Sequence, residues 1–213
     1  MTIFQSYSVD TLAQAGRLGT STLFEASGIA TSSVDPAIRT VWPGAVAAGP
    51  AFPLQCSPGD NLAIHIAMEK APRGAVLVID AQGFVAGYWG EVLTVAAEAA
   101  GIAGLVIDGG VRDIAALRER RFPVFARGIS MRGTIKASAP SVGKPVSLAG
   151  TPVAPGDLVV ADDDGVLVLP DYAVADTLTR SQSRFEKEAA MMEKLKDGQT
   201  TLDLLGLSKW RDG

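Results

Sequence analysis

The chain has 213 residues, 47% of them hydrophobic, with 23 glycines, 12 prolines and a formal net charge of −4. This composition excludes a disordered or coiled-coil protein and describes a turn-rich α/β protein with one main domain, and no Lys/Arg-rich run offers an electrostatic footprint for nucleic acid or anionic membrane. No apolar run reaches the ~18 residues of a membrane span, the opening residues lack a basic stretch leading into an apolar one, and a single cysteine permits neither an intrachain disulfide nor a cysteine-based zinc cluster. A cytoplasmic protein acting on small molecules is expected, with Cys56 packed as a small hydrophobe.

In chain order, Ser8 precedes a helical stretch to Gly16, and Thr20 to Ser27 forms a second short helix that ends at Gly28 and carries Glu25. Thr40-Val-Trp and Ala45 to Ala48 read as short β pieces punctuated by Pro43, Pro50 and Pro53. Asp60-Asn61 opens a helix that holds the lone histidine, His65, and stops at Pro72 and Gly74. With no second histidine to complete a zinc set, His65 reads as a helix residue with a satisfied ring.

Two similar units follow. Gly74 to Asp80 and Ala103 to Asp108 are apolar runs ending in Asp, each followed by glycines and a helix, which predicts consecutive parallel βα units. The first of these helices starts near Gly90 and ends at Gly101; the second runs from Arg112 to about Arg121. Pro123 to Ala126 is a further strand, Gly128 to Val142 a loop, and Pro145–Leu148, Thr151–Val153, Asp157–Ala161 and Gly165–Leu169 a β-rich stretch. Asp162-Asp-Asp-Gly165 reads as a hairpin turn or a calcium-like acidic run, and a last helix spans roughly Tyr172 to Lys196. The division expected is 1–170 as the α/β domain with its N-terminal helices and 171–213 as a helical extension packed on the same or a neighbouring subunit.

Chemistry concentrates in Asp108-Gly-Gly-Val-Arg-Asp113, a strand-to-helix turn whose glycines allow unusual backbone conformations. At a strand's carboxyl end, Arg112 can grip an oxyanion and Asp113 a hard divalent cation, or the pair can be an ordinary helix start in which Asp113 complements the dipole. The Gly90, Glu91, Val92, Leu93 turn offers helix amides for an anion, or a plain cap. Adjacent parallel strands would bring both turns to one sheet edge, a set that fits Mg²⁺ with a small keto acid. Asp80 and Asp108 are expected to orient loops. Trp42, Trp89 and Trp210 are too dispersed to stack on bases.

In order, the motifs Asp60-Asn-Leu, Gly74-Ala-Val-Leu-Val-Ile-Asp80, Gly90-Glu-Val-Leu, Gly104-Leu-Val-Ile-Asp-Gly-Gly-Val-Arg-Asp113, Phe122-Pro-Val-Phe-Ala-Arg-Gly128 and Pro155-Gly-Asp-Leu-Val-Val-Ala-Asp-Asp-Asp-Gly-Val166 resemble the RraA-like, or HMG/CHA aldolase, family over about residues 20 to 190. The resemblance implies an α/β, swivelling β/β/α-type single domain with flanking helices and a C-terminal helix, in a homotrimer or homohexamer with sites between subunits. It implies a class II lyase, using Mg²⁺ (or Mn²⁺), that cleaves 4-hydroxy-4-methyl-2-oxoglutarate or 4-carboxy-4-hydroxy-2-oxoadipate to pyruvate plus a keto acid and decarboxylates oxaloacetate. Asp113 would bind the metal directly and Glu91, Glu188 and Glu25 through water. Arg112 would contact the pyruvyl oxygens, the Gly90–Leu93 amides the substrate carboxylate, and Asn61 would lie near the substrate. Two alternatives come with it: a non-catalytic regulator of RNA processing, whose members tend to lack the aspartate after the motif arginine, and a lyase for another 2-keto acid. A methyltransferase would need a Gly-x-Gly turn that the first strand lacks. The distal carboxylate would be read from Gly128 to Gly143, with Arg127, Arg132 and Lys136 as candidates against a solvated loop face.

Overall fold

The computed structural model describes residues 7–211; Met1 to Ser6, part of the stretch read for a targeting signal, lie outside them. The elements are helices α1 (Val9–Leu18) and α2 (Thr20–Ser27), strands β1 (Arg39–Thr40) and β2 (Ala47–Gln55), α3 (Leu62–Lys70), β3 (Val76–Asp80), α4 (Glu91–Ala100), β4 (Gly104–Val111), α5 (Ile114–Glu119), β5 (Val124–Ile129), β6 (Ser141–Val142), β7 (Val146–Leu148), β8 (Thr151–Val153), β9 (Leu158–Asp162), β10 (Gly165–Leu169), α6 (Asp171–Lys196) and α7 (Thr201–Leu204).

The two predicted βα units are present: β2, β3, β4 and β5 run parallel, and Asp80 and Asp108 stand in register at adjacent strand ends. The sheet continues as β1-β5-β4-β3-β2-β9-β10, with β1, β9 and β10 antiparallel to their neighbours and β6 on the side of β2. The result is a mixed α/β single domain.

Period-two alternation sends β3 and β4 residues to two cores. Leu77, Ile79, Leu105 and Ile107 pack under α3, α4 and α5, while Val76, Val78 and Val106 face Leu148 and Val153 of the β7–β8 hairpin. Burial on both faces explains why these strands read as unbroken apolar runs. A third cluster joins β9 and β10 to α1, α2 and α6 through Leu158, Leu167, Leu18, Leu23, Val174 and Leu178. The buried residues of α6, Val174 to Ser181, all lie in its first half, and among the described residues no helix is long and apolar enough to cross a membrane.

Two strands differ from expectation. β2 is a single nine-residue strand through Pro50 and Pro53, where short pieces were expected. It pairs with β9 at 47–50, with β3 at 51–55 and with β6 at 54–55. Pro50 therefore precedes the β3 ladder and Pro53 falls between the β9 and β6 ladders, so neither missing N–H interrupts pairing. β4 runs on to Val111, past a register shift between Ile107 and Gly110. Its glycines answer close approach rather than special dihedrals, because a Cβ at Gly110 would come within 2.5 Å of the Ala86 carbonyl oxygen. The segment read as a loop from Gly128 to Val142 begins within β5 and ends in β6, and α5 stops at Glu119.

Candidate active site

After β3 the chain does not enter α4 directly. Residues 81–90 fold back over the end of β4: Gly83 N–H donates to the Asp108 carbonyl at 3.0 Å, Tyr88 N–H to Gly110 at 3.1 Å and Arg112 N–H to Trp89 at 2.8 Å. Trp89 is fully buried, stacks on Phe122 at 5.9 Å and donates from Nε1 to Thr94 Oγ1, which bonds the Gly90 carbonyl. This anchors the N-terminus of α4 against the end of β4.

Asp113 adopts a left-handed conformation, φ 59 and ψ 38, and although it stands at the N-cap of α5 its side chain makes no cap there. The carboxylate turns instead to the neighbouring helix: Oδ2 accepts the Glu91 N–H at 3.0 Å, with Arg112 Nε 3.7 Å away. Asp113 thus bridges to the start of α4 while standing at the start of α5, and the two predicted turns do share one edge. Thr94 N–H makes the first helical bond of α4, to Gly90, so the Val92 and Leu93 amides precede the intrahelical ladder.

Gly90, Val92, Leu93, Arg112 and Asp113 line one side of a cleft of about 300 Å³, and Asn61, His65, Thr134 and Lys136 line the other. Asp60 holds this second wall together. It is buried and accepts from the amides of Leu62, Ala137 and Ser138 at 2.9, 2.8 and 2.7 Å and from the Ser138 hydroxyl at 3.1 Å. Burial alone would raise its carboxyl, but these donors hold it below the ordinary carboxylate value. On acidification the unfolded chain therefore takes up the proton first. The stability Asp60 contributes is complete above about pH 4 and is lost as pH falls through its folded value. Asp60→Asn is expected to flatten the acid limb of a Tm-against-pH curve. An unchanged limb would show that Asp60 does not anchor the 134–138 segment.

Other predicted residues are engaged elsewhere. Glu91 Oε1 accepts from Arg120 at 3.2 Å, and Arg120 also reaches Glu98 at 3.1 Å. Glu25 and Glu188 share Arg184 on α2 and α6 and do not line the cleft of their own chain. Arg127 is in β5, paired with Asp108 and with Asp35, and Arg132 lies over the Phe84 ring at 5.2 Å. Of the loop candidates only Lys136 lines the cleft. Asp80 orients its surroundings as expected, accepting from Gln82 N–H at 2.8 Å and Gln55 Nε2 at 3.1 Å.

The acidic run is a hairpin turn whose carboxylates cap other segments, Asp162 bonding Thr20, Asp163 bonding Gly44 and Asp164 bonding Ser21. Among the described residues no group of three or more His, Cys, Asp or Glu could hold a metal. Burial pushes the Cys56 thiol up to about 12, with Asp60 adding to the shift, so it is an inert packing residue. His65 departs from expectation: its Nε2 is buried without a partner. Its i, i+4 spacing from Asn61 was the available signal.

The class defined is a mixed α/β protein whose parallel strands end at a cleft lined by a guanidinium, a carboxylate and the start of a helix. The chain belongs to the RraA-like family, whose model, described as Aldolase/RraA, matches residues 20–168. It is 37% identical over 150 residues, 70% of this chain and 71% of the other, to a Halalkalibacterium halodurans protein provisionally named 4-hydroxy-4-methyl-2-oxoglutarate aldolase. An uncharacterized protein from Pseudomonas syringae superposes with a TM-score of 0.80 at 29% identity, covering 92% of this chain and 97% of that one. Streptomyces coelicolor RraAS2, described as an unusual member of the RNase ES inhibitor RraA family, superposes at 0.74 with 27% identity, covering 89% and 98%.

Proposed function

We propose that the protein is a carbon–carbon lyase that releases pyruvate from small 2-oxo di- and tricarboxylic acids. Its aldol substrates are 4-hydroxy-4-methyl-2-oxoglutarate or 4-carboxy-4-hydroxy-2-oxoadipate, and oxaloacetate is decarboxylated at the same site. The observation that carries this reading is the convergence of Arg112, Asp113 and the α4 amides on one side of a cleft whose other side presents Lys136. Two cationic side chains lining one cleft suit a substrate with more than one anionic group.

The residues present fit Mg²⁺ or Mn²⁺. Asp113 keeps Oδ1 outside its bond to Glu91, and a Cβ at Gly90 would intrude on this carboxylate, so the glycine leaves the space it occupies. One oxygen ligand with room for water suits a hard cation. Asp113 would hold it directly, and Glu91, Glu25 and Glu188 through water, the last two from a neighbouring copy in a homotrimer or homohexamer. Bound there, the ion supplies Lewis-acid stabilisation of charge on the substrate oxygens.

The chain's own groups do the rest. The Val92 and Leu93 amides take the substrate carboxylate at the positive end of α4. As the C3–C4 bond breaks, the C4 hydroxyl gives its proton to water and becomes a carbonyl. The bonding pair leaves negative charge on the pyruvyl oxygen, where the Arg112 guanidinium meets it, and water then protonates the enolate at C3 to release pyruvate. Decarboxylation of oxaloacetate leaves the same enolate, so one arrangement serves both reactions. No Schiff-base lysine is required.

The test is pyruvate release coupled to lactate dehydrogenase, from the aldol substrate and from oxaloacetate, with Mg²⁺, with EDTA and in Asp113→Ala. Metal-dependent turnover lost in that variant is the expected result. Arg112→Ala is expected to lower kcat by ~10²–10³-fold with little change in Tm, because the side chain is 49% exposed. Near-normal turnover in Arg112→Ala would remove its enolate role. The likeness to RraAS2 favours a second reading as a regulatory binding protein, and absence of both turnover and Mg²⁺ binding would favour it.

A further inference from the structure

One wall of the cleft is polar and unpartnered. Asn61 and His65 stand four residues apart, on one side of α3, and both line the cleft. Asn61 donates from Nδ2 to the Tyr88 carbonyl at 2.9 Å, but its Oδ1 and the Nε2 of His65 are buried and meet no hydrogen-bond partner. Buried polar atoms are almost always satisfied, so two orphans on adjacent turns of one cleft wall mark a place completed by a bound molecule. Lys136 stands nearby and, among the described residues, has no acidic partner. Burial first, and the Lys136 charge second, hold the imidazole below its ordinary value, so the ring is neutral at pH 7. A neutral ring beside a lysine suits an uncharged hydroxyl and leaves carboxylate binding to the lysine.

We propose that His65 is a specificity-determining residue that hydrogen-bonds the hydroxyl on the part of the substrate beyond the pyruvyl unit, while Lys136 takes the carboxylate of that part. The contact requires the buried Nε2 to turn out to the cleft, which the proposal assigns to a half-turn of the ring about Cβ–Cγ on binding. The proposal rests on the lyase reading above and adds a selection: substrates with a C4 hydroxyl are favoured over 2-keto acids without one.

The experiment compares kcat/KM for 4-hydroxy-4-methyl-2-oxoglutarate with that for oxaloacetate, which has no C4 hydroxyl, in the Mg²⁺-loaded protein. In His65→Leu the ratio of the two is expected to fall about tenfold, and His65→Gln, which keeps a hydrogen-bonding group, to restore most of it. Equal loss on both substrates, or an unchanged ratio, overturns the proposal. If the unaltered chain turns over neither, the lyase reading itself fails, and that is seen before any variant is made. The chain has only one histidine, so a ¹⁵N-labelled imidazole gives a readout without turnover. In the metal-free protein citramalate is expected to move its resonances clearly further than methylsuccinate, which keeps the carboxylates and lacks the hydroxyl. Equal movement with the two ligands, or movement with neither, overturns the proposal.

Discussion

Gly90→Ala is expected to lower pyruvate release by ~100-fold or more while the chain still folds. The backbone at Gly90, φ −164 and ψ −164, is extended and open to any residue, so the obstacle is space. An added Cβ would stand 2.3 Å from Asp113 Oδ2 and 3.1 Å from both Asp113 Cγ and Arg112 Cγ. Asp113, with a side chain 43% exposed, can swing into solvent, which sacrifices one hydrogen bond from Glu91 at about 1 kcal/mol but removes the carboxylate from the α4 amides. The coupled assay, run beside a thermal melt, checks both halves. Retention of a third or more of the activity would mean that Asp113 need not stand where it does.

Arg127→Met is expected to be among the most destabilising single changes away from the cleft. Its guanidinium joins Asp108, whose side chain is 6% exposed, to Asp35 at 2.9 Å. Breaking a buried pair by removing one partner costs about 3–5 kcal/mol, because the other charge stays buried without compensation. Urea unfolding at neutral pH measures the loss. Adding Asp108→Asn, which removes the stranded charge, is expected to recover a good part of it, whereas Asp35→Ala alone, at a more exposed carboxylate, costs about 1 kcal/mol or less. A loss below 1 kcal/mol in Arg127→Met would show that Asp108 finds water instead.

The parallel core was legible because Val76 to Asp80 and Gly104 to Asp108 are buried on both faces and read as continuous apolar runs. The sharing of one edge by Gly90 and Arg112-Asp113 followed from that adjacency. The direction of the Asp113 side chain was not legible, because local rules favour a residue capping its own helix and the partner that prevailed, Glu91, lies 22 positions away. The length of β2 was hidden by Pro50 and Pro53, whose tolerance depends on which flank carries a ladder at each position, and that is a property of the assembled sheet. The same holds for Arg127: a basic residue at the end of an apolar strand has no visible partner until β4 and the segment around Asp35 are brought beside it. His65 was misread because a satisfied ring is the usual state of a helix histidine, and only its surroundings reveal the missing partner.

The acidic turn between β9 and β10 has a consequence for the order of synthesis. α2 takes its N-terminal cap from Asp162, 142 residues further along the chain, and its apolar face closes on β9, β10 and α6. At ~5–20 residues per second, the two N-terminal helices leave the ribosome roughly 7–28 s before the turn that fastens them, with Leu18 and Leu23 uncovered meanwhile. These helices, made before the hairpin they pack against, are thus among the last parts of this domain secured, and in that interval the nascent chain is open to a chaperone or to a wrong partner.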